Sequence, residues 1–407
     1  MAACSPRPKS AVSQLSALLS LLGMVVAIGI FRALGLQDPG QCLMLVVAAV
    51  AAPHVWAARS NLESASQTNP DSIRRVSIKC IGLLVLYGLI AASYFLFQGF
   101  YEKFVQPLPI SFLNLGWVVL ITGPFYIYMT DGALRNPEDG LYHWGSLVTL
   151  RRTETDWTKV RQFLLGWVVK GFFAPLMLGF ALKDIQWVVN YDIAKDLRTP
   201  LDWYSTAYRL GYLVDVAFAT AGYLCTFRLF NAHIRSTEPT MFGWVVCILC
   251  YPPFWTMASD NFLKYEDGYY WGDWLANQPL LWSIWAVMIV MCVVVYAWAT
   301  VSFGMRFSNL TNRGILTNGP YRWLKHPAYV SKNISWWLIS VPVIGNGTAG
   351  DVLRNCLVLV CLNAIYLLRA KTEERHLMSD PGYVDYCAWM KTNSLYAKIS
   401  RPRWAQV

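Results

Sequence analysis

The side chains of this 407-residue chain best suited to chemistry crowd into its last quarter. From Arg313 it reads RGILTNGPYRWLKHPAYVSKNISWW and, after an apolar stretch, LLRAKTEERHLMSDPGYVDYCAWMKTNSLYAKISRPRW. Gly319-Pro320 makes a turn through which backbone can come close to a bound molecule. Pro327 suits the first turn of a helix, where its missing N–H costs nothing. His326 therefore stands just ahead of a helix N-terminus, whose free N–H groups and positive end favour a carboxylate; a plain capping role is the alternative. Tyr321 and Tyr329 offer ring faces that attract a cation, and tyrosines equally suit a membrane interface. Glu373 and Glu374 fall at the end of an apolar helix, where negative charge opposes the helix dipole. Arg369, four residues before Glu373, can reach it on the same helical face, either as a salt bridge or as part of a binding site.

Taken in order, Gly-Pro-Tyr at 319–321, His326-Pro327 with Tyr329 two residues on, Glu373-Glu374 four residues after Arg369, and Tyr383 with Tyr386 resemble the C-terminal signature of the isoprenylcysteine carboxyl methyltransferase family. That family shares these elements with membrane phospholipid N-methyltransferases. The resemblance covers the chain from Arg313 onward and rests on the ordered set rather than on any one element. It implies an enzyme whose segments on either side of a helical hairpin fold together at the cytosolic face around S-adenosylmethionine, while a lipophilic methyl acceptor enters sideways from the bilayer. On that reading Gly319, Pro320, Tyr321, His326, Pro327, Tyr329, Glu373, Glu374, Tyr383 and Tyr386 bind the cofactor, and Arg369, Glu373 and His326 serve catalysis. His376 belongs with the tyrosines to an amphipathic tail that is either a lid or plain surface.

The chain departs from the family pattern at two places. Lys325 stands where many members carry Arg before His-Pro, exchanging a bidentate fork for a point charge. Ser331, Lys332 and Asn333 follow Tyr329 where many members have Gly, bringing polar groups into a membrane helix. Lys325, Lys332 and Asn333 are accordingly expected at the acceptor. A carboxylate acceptor needs no base to be methylated; a hydroxyl does, and Glu373 or His326 could supply it.

The elements that hold these residues are long and apolar. A helix rising 1.5 Å per residue needs about 20 apolar residues to cross a bilayer core. Ten such windows recur, near 15–36, 41–58, 80–101, 110–130, 162–182, 205–229, 241–258, 279–302, 327–345 and 352–370. The ninth carries Lys332 and Asn333 near its start and could be half of a tight hairpin. With the N-terminus inside, most of the 34 Lys and Arg fall on one side, among them Arg74, Arg75, Lys79, Arg151 and Arg152. Asp184, Asp192, Asp196 and Asp202, and then Asp260, Glu266, Asp267 and Asp273, collect on the other; this is the positive-inside pattern. The expected fold is all-α, a polytopic membrane bundle of about ten transmembrane helices with both termini cytoplasmic. A shift to polar sequence near 303 divides an eight-helix region, 1–302, serving as scaffold and acceptor site, from a methyltransferase-like region, 303–407. Lys170 and Asp215, isolated in apolar windows, are expected to pair with each other or to face a polar cavity.

Composition agrees with this architecture and narrows the function. With 56% hydrophobic residues, 14% charged and 19 Trp, the chain is unlike a soluble enzyme. Its net charge of +10 forms no basic stripe interleaved with base-stacking aromatics, so no nucleic-acid partner is expected. The ten Cys lie mostly in apolar runs, and Cys247-x-x-Cys250 has no second pair, so neither a metal site nor a disulfide framework is expected. The partners left are the bilayer, of a bacterial inner membrane or endoplasmic reticulum, and a lipophilic acceptor: prenylated, isoprenoid, lipid or lipid-linked. Two other readings are an NADPH-dependent reductase resembling the sterol reductases, whose tail YVDYC resembles, and a noncatalytic membrane transport or lipid-binding protein. GPYRWLKHPAY together with RAKTEE favours the methyltransferase.

Overall fold

The computed structural model describes residues 6–58, 72–101, 108–134, 136–261, 271–343 and 348–400, and they are almost wholly helical. In chain order the main helices are α1 (Gln14–Ala33), α2 (Pro39–Ala58), α3 (Ser72–Leu96), α4 (Leu108–Ala133), the short α5 (Gly140–Val148), α6 (Trp157–Asn190), α7 (Pro200–Leu224), the short α8 (Met241–Ile248), α9 (Pro279–Phe303), α10 (Pro327–Ser340), α11 (Ala349–Leu377) and α12 (Pro381–Asn393). Six of them, α1, α2, α3, α6, α9 and α11, are long and apolar enough to cross a membrane. Local signals set their starts. Ser13, Asp139, Asp156 and Asp380 accept backbone N–H groups at the first turns of α1, α5, α6 and α12. Thr199 with Asp202, and Thr348 with Asp351, form capping boxes ahead of α7 and α11, satisfying donors that a helix start leaves open. Proline opens α7, α9, α10 and α12, where its fixed φ is already helical.

Eight of the ten expected windows coincide with helices of 20 residues or more. The window at 241–258 is broken: α8 ends at Ile248, and a second short helix, Phe254–Asn261, begins beyond Pro252-Pro253. Two successive prolines remove two N–H donors and disfavour helix in the residue before them, so Tyr251 is turned out of the helical run. The window at 327–345 is also shorter than a span. Its helix stops after 14 residues at Ser340, with Val341 left-handed at φ 38°, which makes it about 21 Å long. Of the acidic, aromatic loop at 260–274, residues 262–270, including Glu266 and Asp267, lie outside the described residues; Trp271 is fully buried against Tyr204 and Trp282.

The central core is shared by α1, α2, α6, α7 and α9. Close approach of α1 to α2 depends on Gly23, where a Cβ would meet the Ala49 carbonyl, and Ser20 donates to the Val50 carbonyl at 2.7 Å. A peripheral group forms from α3, α4 and α5. There Gly82 and Gly145 bring two helices into backbone contact, and buried Asp131 receives Arg75 at 3.0 Å and Lys79 at 2.8 Å, so its charge is paired rather than stranded. α10 runs antiparallel to α9, with the Trp285 indole donating to the Leu338 carbonyl at 2.8 Å.

Candidate active site

The polar loops at one end of the bundle are pulled together by a two-residue ladder, β1 (Ser236–Thr237) with β2 (Thr311–Asn312), Ser236 opposite Asn312. Beside it the buried guanidinium of Arg313 donates to the carbonyls of Ala232, Gly222 and Phe307, joining the loop after α7 to the loop after α9. Asn312 donates to Asp380 Oδ2 at 2.8 Å, which ties the ladder to the start of α12. Residues ahead of α1 also lie along this face: Ala11 donates to the Ile315 carbonyl at 2.8 Å and Asn318 to that of Val12 at 2.7 Å. Gly319 then reverses the chain at φ +55°, where a Cβ would run into the Ser302 hydroxyl. The left-handed backbone and the lack of space both require glycine. The turn over Gly319–Arg322 delivers the chain to His326, and Tyr386 holds it by donating to the Tyr321 carbonyl at 2.6 Å.

At the start of α10 and the end of α11 the expected charged residues meet. Glu374 receives Lys325 Nζ at 3.2 Å and His326 Nε2 at 3.1 Å. Glu373 receives Arg369 Nε at 3.3 Å and the Tyr329 hydroxyl, while His326 Nδ1 lies 3.8 Å from its other oxygen. The imidazole makes no capping bond to its own helix; it stacks on Tyr329, with ring centres 5.4 Å apart and planes at 5°. Arg369 is buried, and its second arm donates to Asn309 Oδ1 at 2.6 Å. Asn309 in turn donates through both its backbone N–H and its amide to the Tyr223 hydroxyl, at 2.9 and 3.0 Å. Thus the helical Arg369–Glu373 pair is one link in a buried chain, a setting in which charge-assisted bonds are stronger than at a surface.

These groups border a cavity of about 340 Å³ that runs from Glu238, Arg306 and His376 at the loop end to Tyr212, Asp215 and Lys332 among the long helices. Tyr321, Lys325, His326, Tyr329, Lys332, Arg369, Glu373, Tyr383 and Tyr386 all line it. Glu374 stands behind Lys325 and His326; Gly319, Pro320 and Pro327 shape the turn and the helix start without lining the cavity. Asn333, expected at the acceptor, does not reach the lining; its amide oxygen is buried without a hydrogen-bond partner. Outside the membrane helices, burial pushes the phenols of Tyr321, Tyr383 and Tyr386 up, so they are neutral O–H groups at any physiological pH. Several lining residues carry no motif. Tyr251 is the residue that the Pro252-Pro253 break turns inward, which is a signal present in the sequence; Asn309 and Tyr366 have none. The expected pairing of Lys170 with Asp215 is not formed. Lys170 lies over the Trp167 ring at 4.1 Å, whereas Asp215 is buried and accepts from Tyr296 at 2.6 Å and from Thr300, because Tyr296 and Thr300 share one face of α9.

Among families of known proteins, that of isoprenylcysteine carboxyl methyltransferase (ICMT) matches residues 280–379, from the start of α9 through the end of α11. No curated protein and no solved structure matches the chain. The matched segment contains the Gly319 turn, His326, Tyr329 and the Arg369–Glu374 cluster in the arrangement just described, and over that segment the chain is similar to the isoprenylcysteine carboxyl methyltransferase family.

Proposed function

We propose that the chain is an integral membrane methyltransferase that uses S-adenosylmethionine to methylate a lipophilic acceptor, with its active site facing the cytoplasm. The observation that carries this reading is the single cavity joining a carboxylate and tyrosine cluster at the polar end of α11 to an aromatic chamber among the long helices. The residues present suit the cofactor. Glu373 offers carboxylate oxygens for hydroxyl or ammonium groups, the helix start at Pro327 favours a carboxylate, and Tyr321, Tyr329, Tyr383 and Tyr386 offer faces for a purine or a sulfonium. When bound, the cofactor supplies an electrophilic methyl group. Arg369 and Tyr329 hold Glu373 in one orientation, and Lys325 with His326 locks Glu374 behind it; the chain's work is to position and to keep water out.

Calorimetric titration of S-adenosylmethionine, and separately NADPH, into the detergent-purified protein tests the reading. Saturable binding of the first alone, weakened about a hundredfold or more by His326→Ala combined with Glu373→Ala, is expected, since each lost charge-assisted contact is worth about 1.5–3 kcal/mol. Binding of NADPH instead would overturn it.

A further inference from the structure

The deep end of the cavity has a chemistry that neither the cluster at Glu373 nor the family match assigns. Lys332 projects there from α10, its ammonium 5.5 Å from the ring centres of Tyr296 and Trp336 and 5.7 Å from that of Tyr366. No oxygen among the described residues accepts its N–H groups. Tyr296 links it to Asp215: the ring faces Lys332, and the hydroxyl donates to the Asp215 carboxylate at 2.6 Å. Thr300 donates to the other oxygen of Asp215. A carboxylate has room for about four donors, so Asp215, which lines the cavity, keeps capacity to accept from a ligand. Lys332, on the same lining, has donors to spare.

The charges select among acceptors. A cationic group such as an amine would enter an aromatic cage that the chain's own ammonium already fills, and like charges repel. An anionic group reaching Lys332 would lie beside Asp215, placing two negative charges against one positive in a low-dielectric chamber. A neutral hydroxyl meets both: it accepts from Lys332 and donates to Asp215, so that each charged group gains a hydrogen-bond partner and no further charge is buried.

Resting on the methyltransferase reading, we propose that this acceptor is a lipophilic alcohol or phenol, bound by Lys332 and deprotonated by Asp215, and that the product is a methyl ether. The hydroxyl oxygen forms its bond to the methyl carbon as the carbon–sulfur bond of the sulfonium breaks, the electron pair stays on sulfur, and the hydroxyl proton passes to Asp215.

The test uses the full-length protein in phosphatidylcholine nanodiscs, titrated without cofactor by geranylgeraniol and, separately, by N-acetyl-S-geranylgeranylcysteine, with tryptophan fluorescence as the signal. Saturable binding of the alcohol is expected, tighter than that of the carboxylate and weakened about tenfold in Asp215→Asn and in Lys332→Met. Tighter binding of the carboxylate, or alcohol binding unchanged in both variants, overturns the inference. With methyl-labelled S-adenosylmethionine, label that survives alkali in the lipid fraction marks an ether; label released by alkali as methanol marks an ester and overturns it. Asp215→Asn is expected to slow transfer about a hundredfold, as loss of a general base does, and Asp215→Glu to recover part of that loss. Cofactor binding retained in each variant shows that it is folded. Cofactor binding without alcohol binding overturns this inference alone, whereas a protein that binds no cofactor overturns the methyltransferase reading and this inference with it.

Discussion

Asn309 has its two kinds of polar group divided between partners: its donors go to the Tyr223 hydroxyl, and its amide oxygen is left for Arg369 at 2.6 Å and Tyr251 at 3.3 Å. Replacing Tyr223 by Phe removes one oxygen and strands two buried N–H groups, and an unmade buried bond costs about 1–3 kcal/mol. Tyr223→Phe is therefore expected to lower the midpoint of thermal unfolding in detergent by several degrees and to weaken cofactor binding, since Arg369 loses its fixed acceptor. An unchanged midpoint would show that Asn309 finds other partners. At this scale the Arg369–Glu373 contact is legible in the sequence because both residues sit on one helix four positions apart. Asn309 is not, since its partners stand 60 and 86 positions away, and nothing in the local sequence distinguishes it from a loop asparagine.

Among the elements, glycines separate positions where backbone must bend or touch from positions where it need not. Gly319 is left-handed and has Ser302 where a Cβ would go, so Gly319→Ala combines strain with a clash and is expected to cost at least about 1–3 kcal/mol. Gly88, inside α3, has nothing within 4 Å of its would-be Cβ. Gly88→Ala is expected to raise stability by about 0.5–1 kcal/mol, the helical cost of glycine. Thermal unfolding of the two variants side by side checks the contrast; equal effects would mean that the turn at Gly319 adapts. The same scale explains where apolar windows mislead. Hydropathy runs straight through Pro252-Pro253, although backbone sterics cannot, and the apolar residues beyond Ser340 continue a run that the left-handed Val341 ends.

For the whole molecule, the 34-residue α6 is about 51 Å long and exceeds a bilayer core of about 30 Å. Its first turns lie beside β1, where the Thr237 N–H donates to Gln162 at 2.8 Å, and its far end leads into the acidic turn at Ile193–Asp196. The site and that turn therefore lie at opposite ends of this helix, and they are expected on opposite sides of the membrane. In sealed vesicles of one orientation, an impermeant maleimide is expected to label only one of the two variants Lys195→Cys and Lys391→Cys, with both labelled after permeabilisation. Labelling of both before permeabilisation would contradict the arrangement. The basic and acidic loops separate along the sequence in the same sense, and the positive-inside pattern gives the same expectation.

The sequence by itself determined the helical class, the proline that starts α10, the broad membrane character and the order of motif residues from Gly319 to Glu374. These depend on composition and on interactions within about one helical turn, so neighbouring residues suffice to specify them. Only the tertiary structure decided that Asp215 faces Tyr296 and Thr300 rather than Lys170, that Lys332 sits within three aromatic rings, and that Asn309 completes the setting of Arg369. Each of these contacts joins elements far apart in the chain, and which isolated polar groups meet inside an apolar bundle depends on how whole helices pack.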